Sequence, residues 1–257
     1  MFLHFYKFQA TGNDFILIDD RKQIFEINKS NFISSLCERR FGIGADGLIL
    51  LRNHDLYDFE MIFFNSTGEK STFCGNGGRC IIAFANFLSI FDKKCTFLAY
   101  DGVHIGEIHG NKVSMKMADV DNITINKNYT VLDTGSPHLI KLVEDISNVN
   151  VLQKGKEISS IDEFGSYGIN VNFVDLINGI SIRTYERGDE MESNSCGTGS
   201  VAAAITLFEL GKIKNENVEL NTNGGILEVK FNKCHGHYTN IWLTGDVNLV
   251  YSGKIEI

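Results

Sequence analysis

The chain repeats itself. Cys74-Gly75-Asn76-Gly77 returns as Cys196-Gly197-Thr198-Gly199, 122 residues later (196 − 74). Thr11-Gly12-Asn13-Asp14 aligns with Thr134-Gly135-Ser136-Pro137 at an offset of 123 (134 − 11). Gly44-Ala45-Asp46-Gly47 aligns with Tyr167-Gly168-Ile169-Asn170 at the same offset, and Phe64-Asn65 falls within one residue of the register of Tyr185-Glu186-Arg187. Several anchors in one order at a near-constant spacing mark a duplicated unit of about 120 residues. Whatever fold the first half adopts, the second must adopt too.

Each half reads mainly as strands. Runs such as Phe2 to Phe8, Leu48 to Leu51 and Val103 to Ile108, then Val171 to Leu176 and Ile226 to Phe231, are rich in β-branched and aromatic residues. The turns between them fall to Gly, Asn and Asp, because the chain has 25 Gly and one proline, Pro137. Helix signals are few: Ser30 to Arg40, and the segments after the two Cys-Gly motifs. There Ile81, Phe84, Ala85 and Leu88, and Val201, Ala204, Ile205 and Phe208, recur at i, i+3, i+4, i+7. The positions between them are also mostly apolar, as in a buried helix. The expected class is α+β: two pseudo-symmetric lobes, each a curled, mostly antiparallel sheet around a central buried helix, without βαβ alternation. The lobes are expected over 1–118 and 119–246, with 247–257 returning to the first as a strand.

The repeated cysteines carry the chemical signal. Asn76 and Thr198 suit helix N-caps, so Cys74 and Cys196 are expected at the N-termini of the buried helices. Backbone N–H groups and the positive dipole end there bind anions and favour thiolates. At a reference pKa near 8.5, only about 3% of a thiol is ionised at pH 7. Two such termini aimed into one cleft would hold a substrate carboxylate. They would also place a thiolate and a thiol on opposite sides of its α-carbon. That is a device for stereoinversion by two bases, with the donors stabilising the developing carbanion. Cysteine is more often a packed core residue, and Cys37, Cys80, Cys95 and Cys234, which lack repeat partners, read as structural.

Composition removes other classes. A net charge of −8 argues against a nucleic-acid partner. No apolar run approaches the ~18 residues of a membrane span, and the N-terminus has no basic-then-apolar leader. The expectation is a cytoplasmic protein whose six Cys stay reduced. Gly42 to Gly47 fits GxGxxG literally, but a helical basic stretch precedes it and a strand follows, the reverse of a dinucleotide site. Cys234, His235 and His237 crowd one strand turn and lack a second cluster to complete a metal set.

The chain resembles the diaminopimelate epimerase family from end to end. The matching segments are Thr11 to Phe15, Phe41 to Gly47, Phe63 to Gly68, Phe73 to Cys80, Asp133 to His138, Ile169 to Phe173, Arg183 to Gly188 and Ser195 to Ser200. The resemblance implies cofactor-independent interconversion of LL- and meso-diaminopimelate for lysine and cell-wall precursors. By position it implies Cys74 and Cys196 as the acid/base pair. Gly75, Asn76, Gly197 and Thr198 would hold the reacting carboxylate. Asn13, Asn65, Asn170 and Arg187 would grip the distal end, and His138 and Glu186 would stand beside the thiols and the reacting ammonium. It implies a small-molecule substrate, no metal, no nucleic-acid or membrane partner, and leaves a homodimer open.

The chain departs from the family pattern in places. Ser136 replaces a common Asn, and Gly47 replaces a frequent Gln. The stretch from Glu186 to Cys196 is one residue longer and carries Asp189, Glu190 and Glu192, an acidic loop expected to point outward. Proline and hydroxyproline racemases share the fold and the Cys pair, and a racemase of that type is the alternative within the class. A non-enzymatic binding module on the same fold is the alternative outside it.

Overall fold

A computed structural model describes residues 2–71, 73–188 and 190–256. The chain divides into two compact units, 1–115 with 246–257, and 116–245.

The first unit opens with strands β1 (Phe2–Ala10) and β2 (Asn13–Asp19), helix α1 (Ser30–Cys37), and strands β3 (Gly47–Arg52) and β4 (Phe59–Asn65). Helix α2 (Gly75–Phe87) and strands β5 (Lys94–Ala99), β6 (Gly102–His109) and β7 (Lys112–Lys116) follow. The second unit carries β8 (Ile123–Ile125), β9 (Thr130–Asp133), β10 (Pro137–Leu142), helix α3 (Val151–Ser159), β11 (Asn170–Asp175), β12 (Ser181–Glu186) and β13 (Met191–Ser193). It ends with helix α4 (Gly197–Glu209), β14 (Asn217–Thr222), β15 (Gly225–Cys234) and the long β16 (His237–Glu256), whose last residues belong to the first unit.

The duplication holds pairing by pairing. β1–β2 and β9–β10 are antiparallel, and β2–β3 and β10–β11 are parallel. β3–β4 and β11–β12 are antiparallel, while β4–β5 and β12–β14 are parallel. β5–β6 and β14–β15 are antiparallel again. The parallel pairs are βαβ crossovers that the strand pattern did not show, set among antiparallel pairs and so not a βαβ alternation. Each unit contains two crossovers, through α1 and α2 or through α3 and α4. The helices α1 and α3 sit outside the strict repeat anchors, so the sequence shows strands without showing their sense.

In the first unit β1 has β2 on one side and residues 247–256 of β16 on the other, paired from Ala10↔Val247 to Phe2↔Glu256 with a register shift between Lys7 and Phe8. Val247 also donates its N–H to Asn111 O at 3.0 Å, at the β6–β7 turn. One strand therefore touches both ends of the path, and the sheet is curled. In the second unit Val120 bridges Tyr238 of β16, and Met117 N–H reaches Ile241 O at 2.8 Å.

The helices α2 and α4 are buried as expected. Val201, Ala202, Ala203, Ala204, Ile205 and Leu207 have no exposed surface and pack against Leu220, Leu227, Val229, Phe231 and Leu243. Burying each Ile or Leu contributes about 1.5–3 kcal/mol. The alanines let the sheet close tightly on the helix, so enlarging one would cost about 1–3 kcal/mol in displaced neighbours. Helix α3 has no strong signal in the sequence, because Gly155 interrupts it. That glycine lets the helix approach β12: a Cβ there would stand 2.3 Å from Tyr185 Cβ.

Three of the cysteines read as structural, Cys37, Cys80 and Cys95, are buried in the first unit. Burial pushes the Cys37 thiol up to about 11 and the Cys95 thiol up to about 12. Cys234 differs: it ends β15 exposed, with Sγ 3.1 Å from His235 Nδ1. The strand alternation that buries Phe231 leaves the hairpin tip outside the core.

Candidate active site

The two repeated cysteines hold matching backbone positions. Cys74 is extended (φ −118°, ψ 122°), and its carbonyl accepts the first helical bond of α2, from Gly78 N at 2.7 Å. Cys196 is extended likewise (φ −120°, ψ 114°), and its carbonyl accepts Ser200 N at 3.0 Å. Each Cys is thus itself the N-cap. This corrects the expectation that Asn76 and Thr198 cap the helices; they are the second helical residues, after Gly75 and Gly197. First-turn amides of a helix have no acceptor within it, so both thiols stand where an anion is favoured. The side chains of Asn76 and Thr198 are released for other bonds.

In the first unit those bonds form a chain. Asn76 Nδ2 donates to Asn13 Oδ1 at 2.8 Å, and Asn13 Nδ2 donates to Asp46 Oδ2 at 2.5 Å. Arg79, fully buried one turn along α2, donates from one nitrogen to Asn76 Oδ1 at 2.5 Å and Thr11 Oγ1 at 3.0 Å. Its Nε and other terminal nitrogen have no hydrogen-bond partner among the described residues. Burial pulls the Arg79 pKa down to about 10, against the attraction of Cys80, Cys74 and Asp246. A guanidinium held at that value remains charged at neutral pH, beneath the helix start that carries Cys74.

Asp46 links this chain to an ion network. Arg39 pairs with Asp14 at 2.6 Å and with Asp46 at 2.8 Å, and Lys7 pairs with Asp14 at 2.7 Å. Lys7, almost fully buried, also donates to Gly44 O. Burial alone would raise the Asp14 carboxyl, but the hydrogen bonds from Arg39 and Lys7 hold it at about 2. Sequence reasoning missed this network; its members come from β1, β2 and the loop before β3, with no spacing to connect them. Asn65 ends β4. Its Oδ1 closes a turn by accepting Thr67 N at 3.1 Å, Thr67 Oγ1 at 2.7 Å and Glu69 N at 3.0 Å. Gly47 opens β3, and a Cβ there would lie 2.5 Å from Phe64 O, which explains the absence of a side chain at that position.

In the second unit the parallel register His138↔Asn170 sets the site. Asn170 Nδ2 donates to Ser136 Oγ at 2.9 Å, and Asn170 Oδ1 accepts Arg187 N at 3.1 Å. Ser136 therefore still takes a bond from Asn170. Arg187 also donates to Gly168 O at 3.0 Å. Glu186 is the last residue of β12, half-buried. His138 has no exposed surface; its Nε2 lies 2.8 Å from Thr198 Oγ1, which lies 3.5 Å from Cys196 Sγ. Burial, with Arg187 adding to it, pulls the His138 pKa down to about 3.

The acidic loop is only partly outward. Glu190 is exposed and pairs with Lys156 at 2.7 Å. Glu192 folds back onto Arg183 with bonds of 2.6 and 2.7 Å, so its charge is neutralised. Asp189 lies outside the described residues. Among the described residues no group of three or more His, Cys, Asp or Glu could hold a metal ion, and no helix is long and apolar enough to cross a membrane.

The family model for diaminopimelate epimerase matches residues 5–122 and 130–250. A diaminopimelate epimerase of Flavobacterium psychrophilum is 48% identical over 97% of this chain and 99% of its own length. One from Aquifex aeolicus is 36% identical over 99% and 98%. Among solved structures, a PhzF-family phenazine biosynthesis protein of Bacillus anthracis superposes with a TM-score of 0.80 over 100% of both chains at 12% identity. A hydroxyproline epimerase of Agrobacterium vitis superposes with a TM-score of 0.65 over 99% of this chain and 92% of that one at 13% identity. These two likenesses concern the fold.

Proposed function

The chain belongs to the diaminopimelate epimerase family, and from that premise we propose that it inverts one α-carbon of diaminopimelate using Cys74 and Cys196 as its two proton carriers. The observation that carries this reading is the matched pair of cysteine N-caps on pseudo-equivalent buried helices.

The substrate's reacting carboxylate binds first-turn amides, at Gly75 and Asn76 and at Gly197 and Thr198. One sulfur, as thiolate, removes the α-proton. The carbanion's charge spreads into the carboxylate, where the fixed N–H dipoles stabilise it. The opposite sulfur, as thiol, returns a proton to the other face, and the product leaves with the two sulfurs' protonation states exchanged. No electrons are transferred, so the reaction needs no redox partner, and the fixed N–H dipoles take the carbanion-stabilising role that pyridoxal phosphate would otherwise supply. The distal carboxylate suits the planar fork of Arg187, with Asn13, Asn65 and Asn170 supplying amides. Glu186 suits the reacting ammonium.

The product is meso-diaminopimelate, a precursor of lysine and of cell wall, and the proposed setting is the cytoplasm, where thiols stay reduced. The racemase alternative rests on fold likeness alone. Cofactor-free protein incubated with LL-diaminopimelate in deuterated water should place deuterium at the inverted α-carbon. Cys74→Ala and Cys196→Ala should each abolish the inversion. Inversion that survives either substitution, or activity on proline with none on diaminopimelate, would refute the reading.

A further inference from the structure

Asn172 belongs to none of the groups assigned above, yet it is completely buried on β11 behind the start of α4. Its donors and acceptors can be worked out one at a time. Asn172 Nδ2 lies 3.1 Å from Leu139 O. A carbonyl only accepts, so that end of the amide is the donor. The same Nδ2 lies 3.0 Å from His138 Nδ1, which must then be the ring's acceptor. Asn172 Oδ1 takes the Thr184 hydroxyl at 2.8 Å, which fixes the amide from its other side.

A neutral imidazole has one donor and one acceptor. With Nδ1 accepting, the proton sits on Nε2 and is donated to Thr198 Oγ1 at 2.8 Å. The Thr198 hydroxyl keeps its own proton, and Cys196 Sγ is the acceptor within its reach, at 3.5 Å. A donor aimed at a sulfur favours its thiolate form. We propose that Asn172 is a positioning residue that fixes the tautomer of His138 and thereby turns the Thr198 hydroxyl proton toward Cys196.

Two further features fit this role. Gly199, the last residue of the second Cys-Gly-x-Gly motif, makes room for the amide: a Cβ there would stand 2.3 Å from Asn172 Oδ1. By the repeat, the first unit has Ile49 at the position equivalent to Asn172 and Phe15 at that of His138, while the second unit has Val201 at the position equivalent to Arg79. The two lobes thus support equivalent helix starts by different means, a guanidinium under Asn76 and an amide–imidazole pair beside Thr198. The full burial of His138, which keeps the ring neutral, is what makes its tautomer a fixed property.

The inference rests on the reading of Cys196 as a proton carrier, and its test separates the two. In wild-type protein labelled with 15N-histidine, long-range 1H–15N spectra near neutral pH should show His138 with a bare Nδ1 and a protonated Nε2. A proton on Nδ1 overturns the proposal, and this measurement needs no variant to fold. Asn172→Leu, close in shape but without the donor, should lower kcat about ten- to hundredfold, the scale of one hydrogen bond to a charged group, and leave KM nearly unchanged. In a Thr198→Val background the same change should alter kcat by less than about twofold, because its route is already gone. Equal losses in both backgrounds, or an unchanged kcat in the first, overturn the proposal. Failure of the two-cysteine reading looks different: Cys196→Ala would still invert the α-carbon, whereas exchange without inversion through Cys74 alone is compatible with it.

Discussion

His138 Nε2 lies 2.8 Å from Thr198 Oγ1, and the ring it belongs to has no exposed surface. Its folded pKa of about 3 is below the ordinary value of 6.5. Acid therefore favours the unfolded chain, which binds the proton more readily. The stability that neutral His138 contributes is complete above pH 6.5 and is lost as pH falls toward 3, at about 1.4 kcal/mol per pH unit. Urea unfolding of the wild type and His138→Gln at several pH values should show a shallower acid slope in the variant. Parallel slopes would contradict the buried neutral ring.

Asp14 should act in the same direction at lower pH. Its folded value of about 2 is below the ordinary 3.8. The ion pairs with Lys7 and Arg39 are fully present above pH 4 and are lost as pH falls toward 2. Because Arg39 is well exposed and solvent screens its share, the contribution is on the order of 1 kcal/mol. Asp14→Asn should lose about that much at pH 7 and almost nothing at pH 2, measured by chemical denaturation.

The paired motif glycines should respond unequally to the same substitution. A methyl at Gly199 meets Asn172 Oδ1 at 2.3 Å, in a side chain pinned by three hydrogen bonds. A methyl at Gly77 meets Ile49 Cδ1 at 3.2 Å, the movable end of an apolar chain. Gly199→Ala should cost about 1–3 kcal/mol and reduce turnover, while Gly77→Ala should cost much less. Thermal melting and deuterium-exchange rates of both variants would check the ranking.

On the proposed two-base reading, the two thiols serve one carbon and so must come within reach of each other. Mild oxidation with hydrogen peroxide should therefore abolish activity, joining Cys74 to Cys196, and a reductant should restore it. Peptide mapping would identify the bridge. Full activity after complete oxidation, without added reductant, would count against the two-base arrangement.

Much of this was legible before any coordinates. The repeat offset identified the cysteines, and the absence of a polar face identified α2 and α4 as buried. The cap residues were misplaced by two positions because Asn76 and Thr198 are good caps in isolation, whereas here their side chains bond Asn13, Arg79 and His138 instead. Asn172 was invisible because its role depends on the parallel pairing of β10 with β11, which sets Asn172 beside His138 and Leu139 from 33 or more residues away. The Lys7–Asp14–Arg39 network escaped for the same reason. Alternation along a strand says which face a residue takes, not which neighbour it meets across the sheet.

The strand that covers the outer edge of β1 begins a new role at Asp246, after the whole of the second unit has been specified. On the ribosome, then, the first lobe must wait. Its opening strand, with Leu3 and Phe5 facing the core that Ile255 completes, stays open-edged while some 130 further residues are translated (116–245). The second lobe is free to finish folding first.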